Sequence, residues 1–438
     1  MLPYLVFAAA AAIEQIHIAY TPQPGVLSVD FVSADGKPAR AWTSLDNITW
    51  SAPVLATTLY APTIGYLHQA TLNFSGVARG ATAFYKLTTG AAVSPALAAT
   101  PELENSSPVF AVTPEVSRPE VFAVFGDMGS TSVCAADLAA SAARRDYDSL
   151  LFLGDMAYDF SSNNSTVGNA FMNIVQSFAS SHPLMPGEGN HERCDSCLAI
   201  PELGEDSLHN FTEYRARFHS VALHSNSGSA RYYSFDRGLT HFVVLTAEVY
   251  DGRRPHPADF GFIRQQLAFL KADLAAVDRV RTPWVVALVH KNWNMSPPAY
   301  ADFTPVLQAG KVDILFCGHV HHYARYVPYD PTTNETDDAS VSADGATYTD
   351  ARFMTVIVSG AAGSHEGDNP YNKSASYPSY TGVGNYGYGL FTALDATRAT
   401  WTWRTVKQFG AGPANYSDTL TWVRTASGAP SSEAPLRA

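Results

Sequence analysis

Five short polar clusters downstream of residue 120 concentrate side chains that could hold metal ions. They are Gly126-Asp-Met-Gly129, Gly154-Asp-Met-Ala-Tyr158, Gly187-Glu-Gly-Asn-His-Glu192, Val289-His290 and Gly318-His-Val-His-His-Tyr323. Carboxylate, imidazole and amide donors suit divalent first-row metals, and a phenolate additionally suits Fe(III). His319 and His321 are two residues apart, so in an extended segment they share a face while His322 points the other way. Each residue alone has a plainer reading: Asp127 as a helix N-cap, Asn190 as a turn residue, Tyr158 as ordinary core. Glu192 fits either a hydrogen bond that orients a ligand or a surface ion pair. The joint pattern is far more specific than any member.

These clusters follow apolar runs that read as strands. Val121–Phe125 and Leu150–Leu153 are continuous apolar runs separated by an alanine-rich helical stretch from Ala135 to Arg144, a β-α-β signature of strands buried on both faces. His241–Leu245, a helix near Phe262–Val277, Trp284–Val289 and Ile314–Cys317 repeat it, and Met354–Val358 and Ala399–Trp403 are further strands. A layered α/β domain is therefore expected over 119–409, with the clusters converging at the carboxyl ends of its strands. Residues 410–438, rich in Ala, Ser and Pro, read as a loose tail. Upstream, 14–112 shows short strands of period two, such as Gln15–Tyr20, Val26–Val32 and Thr82–Thr88, and fits a β-sandwich. The proline-rich stretch around 113–118 reads as the linker.

The chain has 438 residues, 46% hydrophobic and 16% charged, and its length favours two domains. A net charge of −12 argues against a nucleic-acid-binding surface. Residues 1–13 read as a signal peptide, the competing reading being a buried first strand. No apolar run approaches the roughly 20 residues that span a bilayer. Ten of the seventeen asparagines lie in glycosylation sequons, which suggests a secreted glycoprotein. Asn47, Asn73, Asn105, Asn163, Asn164, Asn210, Asn334, Asn372 and Asn415 are the expected glycan sites. Asn294 is expected to stay unmodified because Pro297 follows its sequon serine directly. Four cysteines allow three pairings; Cys194-x-x-Cys197 reads better as a disulfide than as half a zinc knuckle, and Cys317 as a buried thiol.

In their order, Gly-Asp-x-Gly, Gly-Asp-x-x-Tyr, Gly-Asn-His-Glu, a strand-terminal Val-His and Gly-His-x-His resemble the purple acid phosphatases of the calcineurin-like metallophosphoesterase superfamily. The likeness covers most of the chain. Glu14–Tyr20 resembles the family's opening strand, and Arg231-Tyr-Tyr-Ser-Phe-Asp236 with His241–Leu245 resembles a mid-domain hairpin. The resemblance implies two domains: an N-terminal all-β fibronectin-III-like sandwich and a C-terminal layered α-β-β-α metallophosphoesterase domain.

It also implies an acid phosphatase that hydrolyses phosphate monoesters by metal-activated hydroxide attack at a dinuclear Fe(III)–M(II) centre. Asp127, Asp155, Tyr158 and His321 would hold the ferric ion. Asp155, Asn190, His290 and His319 would hold Zn, Mn or Fe(II), with Asp155 bridging. His191 would donate to a phosphoryl oxygen, with Asn190 also near the substrate. Small-molecule phosphate esters are the implied partners, and a secreted or endomembrane and vacuolar lumen location is expected. The chain departs from the plant pattern after His290: Lys291–Tyr300 contains no histidine to protonate a leaving group. His365, in Gly360–Gly367, is a candidate replacement, although an exposed loop histidine is its plainer and favoured reading. Trp293 and Tyr300 are candidates for the site's rim. Two other readings stand beside this one: a secreted phosphodiesterase or sphingomyelinase-like member of the superfamily, and a non-catalytic glycoprotein stabilised by metal.

Overall fold

The computed structural model describes residues 13–90, 105–194, 197, 200, 203, 211–250, 259–292, 295–367, 369, 379–408 and 415–425. The leader up to residue 12, Trp293, and the sequons at Asn210, Asn294 and Asn372 lie outside the described residues. Ile13, which the sequence reading assigns to the leader, is the first residue of the first strand.

The N-terminal unit is a sandwich of two antiparallel sheets. One runs Ile13–Tyr20, Val26–Ser33, Gly65–Asn73, Thr57–Ala61; the other runs Val54–Leu55, Ala39–Ser44, Ala83–Thr89, Asn105–Ser106, with Phe110–Val112 also on Ala83–Thr89. Period-two side chains fill the space between them: Leu27, Val29 and Phe31 from one sheet, Ala83, Tyr85 and Leu87 from the other. Ile13–Tyr20 is an edge strand with a bulge, and helix Thr166–Ala179 of the second unit covers it. In that bulge Gln15 N donates to Asn173 Oδ1 (3.1 Å) and Ile16 N to Gln176 Oε1 (2.9 Å). The seam continues at Asp30, whose carboxylate accepts from Ser220 Oγ.

The second unit holds two seven-stranded sheets. The first runs Leu184–Pro186, Ser149–Phe152, Val121–Phe125, Tyr386–Ala393, Arg398–Lys407, Ser417–Val423, Thr347–Thr349. The second runs Tyr233–Arg237, Thr240–Leu245, Trp284–Val289, Ile314–Cys317, Thr355–Ser359, Tyr323–Tyr326, Ser379–Val383. Aromatic pairs join their facing surfaces, Phe122 to Phe242 at 4.8 Å and Phe316 to Trp401 at 5.0 Å between ring centroids. Alternate residues of each central strand serve opposite cores. Trp284, Val286 and Leu288 face the other sheet, whereas Val285, Ala287 and Val289 meet Ile263, Leu270, Phe303 and Leu307 of helices Phe260–Ala276 and Pro297–Ala309. Both faces are dry, which is why the run is continuously apolar.

Two expectations need correction. The stretch 410–438 is not a loose tail throughout: Ser417–Val423 is a strand between Arg398–Lys407 and Thr347–Thr349. It buries Leu420 and Trp422, two apart on one face, and Arg424 beyond it stacks 4.0 Å over the Trp284 ring. Tyr300 does not line a rim. Pro297 and Pro298 occupy the first turn of a helix, where a missing N–H costs nothing. That helix carries Tyr300 into the core, where its hydroxyl donates to Lys291 O (3.0 Å). Cys194 and Cys197 form a disulfide, while Cys134 and Cys317 are buried thiols.

Candidate metal centre

Five parallel strands deliver the clusters. Phe125 leads into Asp127, Phe152 into Asp155, Pro186 into Asn190, Val289 into His290 and Cys317 into His319. Three of these strands belong to one sheet's parallel set and two to the other's, so their carboxyl ends meet where the sheets meet. Gly126 N donates to Ser359 O (2.9 Å), tying the sheets together at that edge. The chain turns sharply there. Asp127, Asp155, Tyr158 and His319 have φ of 61, 51, 57 and 68°, a left-handed region that L-residues occupy at a cost of about 1 kcal/mol or more each. Glycines admit the close approach: a Cβ on Gly318 would sit 2.6 Å from Asp127 Oδ2, and one on Gly189 would sit 2.8 Å from His290 Cε1 and also strike Asp155.

The side chains converge in two sets. Asp155, His290 and His319 offer donor atoms that all lie within 4.8 Å of one another. Asn190 Oδ1 joins them, 3.3 Å from His290 Nε2. Tyr158 Oη lies 2.7 Å from His321 Nε2, which is 3.4 Å from Asp127 Oδ1. His290 donates from Nδ1 to Leu153 O and His321 from Nδ1 to Gly367 O, both at 2.8 Å. Each ring is thereby oriented with Nε2 facing inward. His319 Nδ1 is buried with no hydrogen-bond partner. An orphaned imidazole nitrogen beside a carboxylate, an amide oxygen and a second imidazole fits a divalent cation, and phenol with carboxylate and imidazole fits a harder one.

The electrostatics are those of a place that wants positive charge. Burial opposes ionisation of Asp155, yet His290 overcomes it and holds the carboxyl well below its usual range. Burial likewise opposes charging His290, but Asp155 lifts it to about 10. His321 rises to about 9 because its bond to Asp127 outweighs burial. His319 falls to about 3 through burial and the neighbouring His290 charge. Burial, then the Asp127 and Asp155 carboxylates, pushes the Tyr158 phenol far up. Protons on imidazoles balance the carboxylates here, and a multivalent cation in the same place would displace them.

His191 lies at the mouth, its ring 4.4 Å from that of Tyr158 and its backbone N–H donating to Asp155 Oδ1 (2.8 Å). His365 is exposed, as its plainer reading has it, and is also near the centre, with its ring edge-on 5.2 Å from Tyr158. Glu192 resolves in favour of an internal role. It is 1% exposed and accepts from Asp155 N, Met156 N and Gly189 N at 2.7–2.8 Å, so one carboxylate staples two ligand loops together. Burial raises it to about 8, the bonds from Met156 and Gly189 pulling the other way.

Sequence reasoning passed over several supports. Glu188, fully buried, accepts from Arg231 Nε and Nη2 at 2.7 and 2.8 Å beneath the Asn190 loop. Lys291 Nζ donates to Glu248 Oε2 (2.6 Å) behind His290. Asp159 and Glu366 face the two ring nitrogens of His191. A charged residue directly after a ligand, as in Tyr158-Asp159 or His290-Lys291, was the available signal.

Comparison with known proteins gives a consistent picture. Residues 121–323 match the model of the calcineurin-like phosphoesterase family, and 353–409 match that of the iron/zinc purple acid phosphatase-like protein C-terminal family. The chain is 31% identical over 300 residues to purple acid phosphatase 22 of Arabidopsis thaliana, a match covering 66% of this chain and 61% of that protein. Against acid phosphatase type 7 of Homo sapiens it is 26% identical over 441 residues, covering 89% of this chain and 87% of that one. The fold is shared with a purple acid phosphatase from yellow lupin (Lupinus luteus) seeds: TM-score 0.71 at 18% identity, over 95% of this chain and 75% of the other.

Proposed function

The chain belongs to the purple acid phosphatase family of calcineurin-like phosphoesterases, and from that membership we propose that it hydrolyses phosphate monoesters at acidic pH at a dinuclear Fe(III)–M(II) centre. The observation that carries this reading is the phenol of Tyr158, 2.7 Å from His321 Nε2 and next to Asp127, opposite an Asp155–His290–His319 set that lacks one. A hard, oxygen-rich pocket beside an imidazole-rich one suits two unlike ions.

Asp127, Asp155, Tyr158 and His321 would hold the trivalent ion. Asp155, Asn190, His290 and His319 would hold Zn, Mn or Fe(II). Such a pair of ions would supply Lewis acidity toward a phosphoryl group and a water of lowered pKa. The chain's own part is to fix that geometry and meet the developing charge. Leu153 O and Gly367 O lock the two imidazoles, and Glu192 locks the loops that carry Asp155 and Asn190. His191, half-exposed beside Tyr158, donates to a phosphoryl oxygen, and donors aimed at developing charge are usually the largest catalytic contribution. His365, exposed and edge-on 5.2 Å from the Tyr158 ring, is the candidate to protonate the leaving group, since no histidine follows His290 within Lys291–Tyr300. The apolar stretch read from sequence as a leader over 1–13 and the exposed sequons at Asn47, Asn73, Asn163, Asn164, Asn334 and Asn415 support export as a glycoprotein into an acidic or extracellular space.

The test is hydrolysis of p-nitrophenyl phosphate against bis-p-nitrophenyl phosphate between pH 4 and 8, with elemental analysis and a visible spectrum. The expectation is monoester preference, iron, and a tyrosinate-to-iron absorption lost in Tyr158→Phe. Asn190→Ala and His290→Ala are each expected to abolish turnover; full activity in both, or a colourless active protein without iron, sinks the reading.

A further inference from the structure

We infer that one side of the N-terminal sandwich, residues 54–61, is an interface on which a second copy of this chain pairs edge to edge. A sheet edge carries unpaired N–H and C=O groups that template another strand, so folded chains cover, interrupt or charge their edges. The sandwich has four. Ile13–Tyr20 is covered by helix Thr166–Ala179. Asn105–Ser106, at the far edge of the other sheet, begins on the sequon asparagine Asn105. The remaining two, Val54–Leu55 and Thr57–Ala61, are the terminal strands of different sheets. Only Ala56 separates them, so the chain steps there from one sheet to the other and both edges fall on the same side.

That side is apolar and uncharged. Among the described residues eleven large hydrophobic side chains stay exposed, and five of them, Leu45, Ile48, Val54, Leu55 and Tyr60, lie between positions 45 and 60. Leu55 is 65% and Tyr60 54% exposed. The Tyr60 ring lies against that of Tyr66, centroids 4.9 Å apart, and Tyr66 packs on Gly36, where a Cβ would come within 2.6 Å of the ring. The two tyrosines make a fixed aromatic shelf beside the edge. No Asp, Glu, Lys or Arg occurs from Asn47 to Ala78, a span in which a composition of 16% charged residues places about five. The flanking charges are engaged at home: Lys37 pairs with Asp35 at 3.1 Å, and Arg40, opposite Leu55, donates to Gly90 O (3.4 Å).

Charge decides the occupant. The chain carries −12, so two copies repel over most of their surfaces and meet most easily where neither is charged. A basic partner would be drawn to the acidic surfaces instead. An edge strand laid antiparallel on its own copy meets the same residues across a two-fold axis, so one patch complements itself and the assembly closes at two. Pro53 and Pro62 bracket the segment and confine the pairing to it. The dimer therefore carries one sheet on into the other through Thr57–Ala61, with Leu55 and Tyr60 of both copies packed alongside. An edge this short buries less than the roughly 800 Å² per partner of a standard interface, which sets the expected dissociation constant on the order of micromolar.

The experiment is sedimentation equilibrium of the full, glycosylated, metal-loaded chain from about 1 to 100 µM, with hydrogen–deuterium exchange at both ends of that range. Wild type is expected to rise from one towards two chain masses, with exchange slowed at high concentration only within 54–61. Leu55→Asp/Tyr60→Asp brings carboxylates face to face across the axis and is expected to weaken dimerisation more than about tenfold, with an unchanged circular dichroism spectrum. Val280→Asp/Leu394→Asp adds the same charge at exposed positions of the second unit and is expected to dimerise within about twofold of wild type. A wild type that stays a single chain throughout, whether that edge is solvated or covered from within its own chain, overturns the inference. So does a dimer that survives in Leu55→Asp/Tyr60→Asp, one lost equally in the control, or protection that falls outside 54–61.

Discussion

Replacing Asp30 by asparagine should change how stability depends on pH without touching the metal centre. Asp30 is 5% exposed in the seam between the two units, where Ser220 Oγ donates to it and His17 Nε2 is 3.8 Å away. Burial raises its pKa to about 8, the Ser220 bond opposing. Burial lowers His17 to about 4, its ring nitrogens facing Gln15 O and Arg217 O. Between those values the pair holds one titratable proton, which burial assigns to Asp30. It does so although both His17 ring nitrogens face carbonyl acceptors and a neutral imidazole donates to only one of them. The other charges nearby, Arg217 and Glu213, are paired to each other at 3.0 Å. In the unfolded chain the aspartate ionises above about 3.9 and the histidine is protonated below about 6.5. From pH 4 to 8 the folded Asp30 therefore keeps a proton the unfolded chain has released, so its contribution falls as pH rises. His17 has the opposite sign from pH 4 to 6.5 and offsets it there, leaving the pair's net loss between about 6.5 and 8.

Asparagine keeps the acceptor for Ser220 and cannot ionise. The limiting tilt between the wild type and Asp30→Asn is about 1.4 kcal/mol per pH unit, with the variant gaining as pH rises. Half that value, to allow for water reaching a charged Asp30, amounts to about 2 kcal/mol from pH 5 to 7.5, a relative displacement in Tm of roughly 2 °C for a chain of 438 residues. Differential scanning fluorimetry at fixed metal loading reads it directly. Curves of Tm against pH that run parallel for the two proteins would refute a neutral, buried Asp30.

Four further outcomes follow from the structure. Glu192→Gln leaves at least one of three backbone donors unmatched and is expected to weaken metal retention about ten- to a hundredfold, measured by elemental analysis after dialysis against chelator. Gly189→Ala should abolish metal binding while leaving the circular dichroism spectrum intact, because its Cβ would enter the space of Asp155 and His290. Arg231→Met strands the Glu188 carboxylate in the core and is expected to cost about 3–5 kcal/mol in denaturant titration, with Glu188→Gln partly restoring it. Leu420→Ala is expected to cost about 2–5 kcal/mol, whereas a loose tail would show no change.

Much of this molecule is legible in its sequence, for a specific reason. A strand dry on both faces reads as an unbroken apolar run, so the point where Val289 gives way to His290, or Cys317 to Gly318 and His319, announces the end of a buried strand. The supports are less legible. Nothing local distinguishes Glu192 turned inward onto three amides from a surface carboxylate, since its partners are up to 37 positions away. Pro297-Pro298 is a helix start, and the helix carries Tyr300 into the core rather than to a rim. Leu420 and Trp422 keep strand period, but the alanine and proline around them mask it.

The left-handed backbone at Asp127, Asp155, Tyr158 and His319 has a consequence for anyone engineering this protein. At such positions glycine, and to a lesser degree asparagine, relieves local conformational cost. A search for thermostabilising substitutions guided by backbone compatibility alone would therefore rank these four candidate ligand positions among its first targets and would dismantle the centre. Thermostability and metal binding compete here for the same residues. Those four positions should be held fixed before any such optimisation begins, and gains sought instead on the outer strands of the sandwich.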